Sequence, residues 1–440
     1  MNDLPTRNVT SRNVSGSRPR QSKGFESPYR AMLGLLAFAL FLNLEGPDPI
    51  DALLVTMIFL AIPILRASTR RVRISRPVSI LVMMFVVSYL LSMAAGGANV
   101  SFAANLMLNV MLLVVLVAGV RTAGAASRWM FLMSLGYSVC GLIAGLQHLA
   151  GLPTLASQFE VVRSGRFMGL YGDPNILGAF SVLIIIYWLD VLVSARRSAF
   201  KTTLVALAFL LSAAVQLLTS QSRSAWLGLA VGLFIYGVLS IRTLGLQALK
   251  RLTLAFVVTV AAASALSATT ELGEQLVERL STVAEPSSSA EEERFGFLYT
   301  LAALSVAMDH PLGVGPGMTS SATGFEPVDG NLIGAHNAFV QLFSDNGWVA
   351  GCTFVFAMFS MLKAALRAAW QGTSSLGIST AVVASGLAAL VFCGLFQDLI
   401  QWRLMWVLPS IFVAMWIHDR PQFRASVSRR FNPARAAIRR

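Results

Sequence analysis

From residue 32 to residue 417 the chain is a succession of long apolar runs closed by short polar turns. A helix that crosses a bilayer needs roughly 20 such residues. Irregular backbone cannot face lipid, because its N–H and C=O groups would have no partner there, so recurrent runs of this length predict an α-helical bundle. The runs centre on 32–44, 52–65, 78–95, 102–120, 129–149, 175–193, 202–218, 225–239, 252–268, 347–362, 377–396 and 404–417. Composition agrees: 55% of residues are hydrophobic and 12% charged, against about 25% charged in soluble domains. The expected fold class is all-α, a polytopic integral membrane protein of about 12 transmembrane helices.

Charge supplies the expected orientation. Lys and Arg accumulate on the cytoplasmic side of membrane loops. With the N-terminus inside, all but six of the 34 basic residues fall on that side. Both termini are then cytoplasmic. Residues 1–30 read as a disordered basic tail, residues 31–417 as the membrane domain, and residues 418–440 as a second basic tail. The net charge of +13 is on this reading a topology signal and an attraction to anionic membrane lipids, with no nucleic-acid partner expected. Cys140, Cys352 and Cys393 lie in apolar runs without paired spacing and read as small hydrophobes. The four histidines are not at metal-ligand spacings. A Walker phosphate loop, an HExxH zinc motif and a nucleophile elbow are all absent from the sequence.

Two loops on the outer side are expected to form a site, 152–174 and the large polar stretch 269–335 between the ninth and tenth spans. The six basic residues on this side are Arg163, Arg166, Arg223, Arg279, Arg294 and Arg403. Arg279 sits among Glu271, Glu274 and Glu278 at helical spacing and reads as a paired surface charge. Arg166 precedes Gly169, Gly172 and Asp173-Pro174-Asn175. Asp173 is placed to cap a helix that Pro174 begins, and a helix start suits an anion. Arg223 lies in the short turn Thr219–Ala225, where a cation near lipid calls for an anionic partner, either an internal carboxylate or a ligand. Arg294 ends an acidic run, Glu291-Glu292-Glu293. The glycine-rich stretch from Pro311 through Gly315 to Gly317 is a close-approach turn, and on its own weak ground for phosphate binding. His336 stands where a helix resumes, and the positive end of that helix favours a neutral imidazole that can accept a proton.

These motifs, in this order, resemble the O-antigen ligase and O-antigen polymerase family. The resemblance rests on Arg166-x-x-Gly169 with Asp173-Pro174-Asn175-x-x-Gly178 and on Ser222-Arg223-Ser224. It continues through Pro311–Gly317, His336-Asn337-Ala338-Phe339 and Asp345–Gly351, and covers residues 163–351. It implies a helical, GT-C-like glycosyltransferase fold in the bacterial inner membrane with a periplasmic site. The implied donor is an undecaprenyl-diphosphate-linked glycan. The implied acceptor is lipid A core for a ligase, or a second lipid-linked glycan for an O-antigen or exopolysaccharide polymerase. The donor is already activated, so the resemblance implies neither cofactor nor catalytic metal. On the same footing, His336 takes the acceptor proton, and Arg166, Arg223 and Arg294 clamp the diphosphate. Asp398, Asn337 and Gly315 are possible supporting residues. A lipid or solute transporter is the competing class, disfavoured by the lack of a convincing internal repeat. A non-catalytic assembly scaffold is the third.

Overall fold

The computed structural model describes residues 23–40, 49–67, 76–122, 124–150, 162–163, 166–194, 200–245, 250, 253, 290–324 and 336–418. The chain opens with α1 (Lys23–Ala39), α2 (Pro49–Ala67), α3 (Arg76–Gly96), α4 (Val100–Gly119) and α5 (Ala125–Leu149). A two-residue hairpin, β1 (Val162–Arg163) and β2 (Arg166–Phe167), leads into α6 (Pro174–Ser194), α7 (Phe200–Ser220) and α8 (Arg223–Leu244). Then come α9 (Ala290–Asp309), the single turn α10 (Thr319–Thr323) and α11 (Ala338–Trp370). A second hairpin, β3 (Ser374–Ser375) and β4 (Ile378–Ser379), precedes α12 (Thr380–Gly394) and α13 (Arg403–His418).

The protein is a mostly helical, multi-pass membrane protein. Among the described residues six helices are long and apolar enough to cross a membrane, namely α4, α5, α6, α7, α8 and α11. Shorter apolar stretches lie in α2, α3, α9, α12 and α13. The expected span at 252–268 lies outside the described residues. Two expectations need correction. The stretch 269–335 is not simply a polar loop, because α9 occupies part of it and is apolar from Phe297 to Asp309. The span expected from residue 377 starts at Thr380, because Gly377 turns the β3–β4 hairpin with φ 85° and Ser379 caps the helix, accepting from Ala381 N at 3.1 Å.

Helix α6 lies at the centre, packed against α7, α8 and α12 and buried on all faces from Ile176 to Leu189. A helix hydrophobic all round belongs in such a position. Its far half is held by shape. Trp188 stacks on Phe209 at 4.7 Å, and Phe131 meets both rings edge-on. The indole N–H of Trp188 donates to Ser134 Oγ at 2.8 Å, so the indole itself is not stranded. Peripheral α3 turns the apolar side chains of Ile80, Val82, Met83, Val87, Leu90 and Leu91 outward, the surface a lipid-facing helix presents.

Helix α11 is broken at Gly347, which has φ 81° and ψ 173°. A break frees backbone groups that must find partners elsewhere. Each finds one. The carbonyls of Ser344 and Asp345 accept from Val314 N and Gly315 N, both at 2.9 Å. The carbonyl of Asn346 accepts from Ser88 Oγ on α3 at 2.9 Å. Trp348 N donates to Pro311 O at 2.9 Å, and Ala350 N to Ser88 Oγ at 3.2 Å. The two glycine motifs of the sequence therefore build one joint. A Cβ on Gly347 would lie 2.6 Å from Pro311 O, and one on Gly313, at φ 85°, would collide with the Asp345 carbonyl.

Candidate active site

Around this joint, four loops converge on a cavity of about 490 Å³, a size typical of ligand sites. The start of α6 supplies Asp173 and Asn175, and the segment before α11 supplies His336. The turn between α12 and α13 supplies Gln397 and Asp398. Gly317 and Ser320 close one side beside the start of α4, which lines the cavity with Asn99, Asn105 and Asn109.

Asp173 behaves as its sequence position predicts. Its Oδ1 accepts from Asn175 N at 2.6 Å and Ile176 N at 3.1 Å, capping α6. Burial raises its pKa above the usual carboxylate range. The two cap hydrogen bonds and the nearby charges of Arg166 and His336 oppose that rise. Asp173 and His336 both line the cavity.

Arg166 stands behind this wall on β2. Its Nη2 donates to Asn175 Oδ1 at 2.7 Å and its Nε to Ser220 O at 3.1 Å. Arg223 is the first residue of α8, after a two-residue turn in which Gln221 takes φ 50°. It therefore sits at a helix N-terminus rather than in an extended loop. Gly178 lets that turn lie on α6, since a Cβ there would fall 2.9 Å from Ser222 Cβ and 2.8 Å from Ala225 Cβ. That contact explains why the Asp173–Gly178 and Ser222–Ser224 motifs occur together. Arg294 is on α9, five positions before the cavity-lining Tyr299; its side chain lies outside the described residues.

The His336 side chain is exposed to the cavity. Asn337 follows as the N-cap of α11. Its Oδ1 accepts from Phe339 N and Val340 N, both at 3.0 Å, while its Nδ2 donates to Leu395 O at 3.0 Å. Ala338 N adds a hydrogen bond to Gln397 O at 3.0 Å. Asn337 therefore fixes His336 relative to the α12–α13 turn and is a positioning residue. Asp398 on that turn accepts from Gln401 Nε2 at 3.1 Å and Ile400 N at 3.3 Å. Burial pushes its pKa up to about 7, Gln401 pulls it down, and the charge of Asp345 adds to the rise.

Gly315 is placed away from the cavity wall. With φ 101° it packs against the carbonyl of Gly97 in the α3–α4 turn, where a side chain has no room. Its role is to seat the loop, and Gly317 is the member of that stretch that reaches the cavity. Beneath it, buried Asp345 accepts from Thr319 N at 3.1 Å, Thr319 Oγ1 at 2.6 Å and Gln341 Nε2 at 2.8 Å, fixing α10 to α11.

Sequence reading missed three groups here. The α4 asparagines sit inside an apolar run, yet Asn105 and Asn109 are four apart and share a helix face, a signal that was present. Asn109 donates to Gln401 O at 2.7 Å, joining α4 to the Asp398 turn. Arg403, one of the outer basic residues, pairs with Asp51 of α2 at 2.6 Å and lines the cavity. Gln397 carried no signal, because its importance lies in contacts across the fold. Among the described residues no three His, Cys, Asp or Glu side chains converge as metal ligands would.

Residues 206–355 match the family model described as O-antigen ligase. The matched segment runs from within α7 into α11 and includes Arg223, Arg294, His336 and the Gly347 break. No curated protein and no solved structure gives a significant match to the chain.

Proposed function

We propose that this chain, which carries an O-antigen ligase family domain over residues 206–355, transfers a glycan from undecaprenyl diphosphate to an acceptor hydroxyl on the periplasmic face of the bacterial inner membrane, with lipid A core as the acceptor. The observation that supports it most is the meeting of His336, Asp173 and Asp398 in one cavity whose wall is backed by Arg166.

In this reaction the acceptor oxygen attacks the anomeric carbon as the bond from that carbon to the diphosphate oxygen breaks. The acceptor proton passes to His336, a role worth typically 10²–10⁴-fold. The diphosphate leaves on its lipid with one more negative charge than it brought. Arg166, Arg223 and Arg294 are assigned to that charge, as donors whose attraction grows as the bond breaks. An acceptor entering from the side opposite the diphosphate inverts the anomeric centre. Asp398, ionised, orients the acceptor or the imidazole. The residues that carry charge in this scheme call for no metal.

The test is purified protein with a lipid-diphosphate-linked oligosaccharide, alone and with lipid A core, read on a gel. Glycan appearing only on lipid A core is the expected result. A ladder of longer lipid-linked chains without the second acceptor would make the protein a polymerase. Donor that survives unchanged in both reactions, with His336→Ala complementing a deletion strain as well as the wild type, would remove the enzymatic reading.

A further inference from the structure

Gln397 occupies an unusual position. It lines the cavity, yet the residue is only 4% exposed. Its backbone carbonyl receives Ala338 N, two residues beyond His336, at 3.0 Å. Its side-chain amide donates to Ser222 Oγ at 3.2 Å and also to Ser224 Oγ. One residue thus connects the His336 helix start, the serines flanking Arg223 and the Asp398 turn. Its side-chain rotation is fixed by two hydroxyls and its main chain by a helix terminus.

With the amide nitrogen committed, the other arm of the carboxamide remains. Gln397 Oε1 is buried and has no hydrogen-bond donor among the described residues. Buried acceptors are nearly always satisfied, because leaving one unmade forfeits its hydration with no return. A carbonyl held rigidly and lacking a donor, in a residue that lines a cavity, suits a ligand that brings the donor. A carboxamide oxygen only accepts, so the ligand must present O–H or N–H. Fixed first contacts of this kind are how sites read hydroxyl patterns, since an analogue without the group leaves the protein partner unpaired.

We propose that Gln397 binds the acceptor sugar, its Oε1 accepting a hydrogen bond from a hydroxyl, or an N–H, next to the hydroxyl that is glycosylated. The inference rests on the glycan-transfer reading above, and it assigns Gln397 to the acceptor because of its place beside His336 and Asp398. The donor diphosphate belongs to the arginines. The α4 wall, with Asn99 and Asn105, offers further carboxamides to the same sugar.

The test separates binding from turnover. Delipidated lipid A core oligosaccharide, the oligosaccharide of the lipid-linked repeat and a set of monodeoxy analogues of each are titrated against wild-type and Gln397→Leu protein in nanodiscs. Thermal unfolding verifies that the variant is folded, and Gln397→Met, which keeps the length of the side chain without its accepting oxygen, serves if it is not. For the oligosaccharide that binds, Gln397→Leu is expected to weaken affinity roughly 3- to 10-fold, the scale of one neutral hydrogen bond. One deoxy analogue should bind wild type less well by a similar factor and bind Gln397→Leu with no added loss. If every deoxy position costs the same in both proteins, the hydroxyl contact does not exist and Gln397 is structural. Unchanged affinity in Gln397→Leu overturns the proposal equally. Donor transfer by the wild type is read in parallel. Sugar binding that depends on Gln397 without any transfer would sink the enzymatic reading while keeping the subsite, and transfer with no dependence on Gln397 would do the reverse.

Discussion

The two ends of α6 are built on opposite terms. At the far end Trp188, Phe209 and Phe131 interlock, and one hydrogen bond to Ser134 completes the contact. At the cavity end Asp173, Asn175 and the Arg166 guanidinium meet through directed hydrogen bonds. One end is specified chiefly by volume, with isolated hydrogen bonds such as those of Trp188 to Ser134 and Tyr236 to Asp190. The other is specified by direction and presents charge to a cavity. The difference teaches that one helix can anchor the bundle and orient a site, provided the two tasks are kept at different depths.

The comparison can be broken most sharply at His336. His336→Ala should lower transfer by about 10²–10⁴-fold with thermal unfolding unchanged, because its exposed side chain contributes little packing. A large fall in melting temperature would show that the cavity end is structural too. The opposite end should respond in the opposite way. Trp188→Ala removes a buried indole and should cost about 3–5 kcal/mol of stability, while the surviving folded fraction keeps its specific transfer rate. Detergent thermal shift and activity per folded molecule together decide this.

Asp345 tests the boundary, being charged yet structural. Asp345→Ala removes the acceptor of the Thr319 N–H and the carboxylate that the Thr319 hydroxyl and the Gln341 amide also reach. A cost of about 1–3 kcal/mol per buried group left unpaired is expected. Lowered melting temperature and released α10, read by hydrogen exchange over Thr319–Thr323, are the expected signs. The smallest effect is at Asp398. Its pKa stands at about 7 through burial, above the roughly 4 of an unfolded chain. Its stabilising contribution is therefore complete below about pH 4 and declines as pH rises through 7. Wild type should lose roughly 2–4 °C of melting temperature between pH 5 and pH 8 that Asp398→Asn does not lose.

Much of this was legible in the sequence, and what was not shares a cause. The helical membrane fold follows from apolar runs, which are local. The α6 cap follows from Asp173-Pro174, also local. The pairing of Pro311–Gly317 with the Gly347 break was visible only as two motifs, because nothing in either states that its backbone groups satisfy the other. Helix α9 was hidden by its acidic start, which made the whole stretch read as loop. Gln397 gave no signal and Arg403 only its sidedness, since their partners Ser222 and Asp51 lie far off in the chain.

The Gly347 break also sets an order of events during synthesis. Ser88 supplies a hydroxyl to Asn346 and accepts one hydrogen bond from Ala350, so α3 waits more than 250 residues for its partner. The loop at Gly313 waits for the same helix, and His336 waits for the carbonyls of Leu395 and Gln397. A ribosome that has released everything up to Gly351 has delivered every motif named above but no finished cavity. The cavity is completed only with the α12–α13 turn, so a chain truncated before it would lack Gln397 and Asp398 and the carbonyls that hold the start of α11.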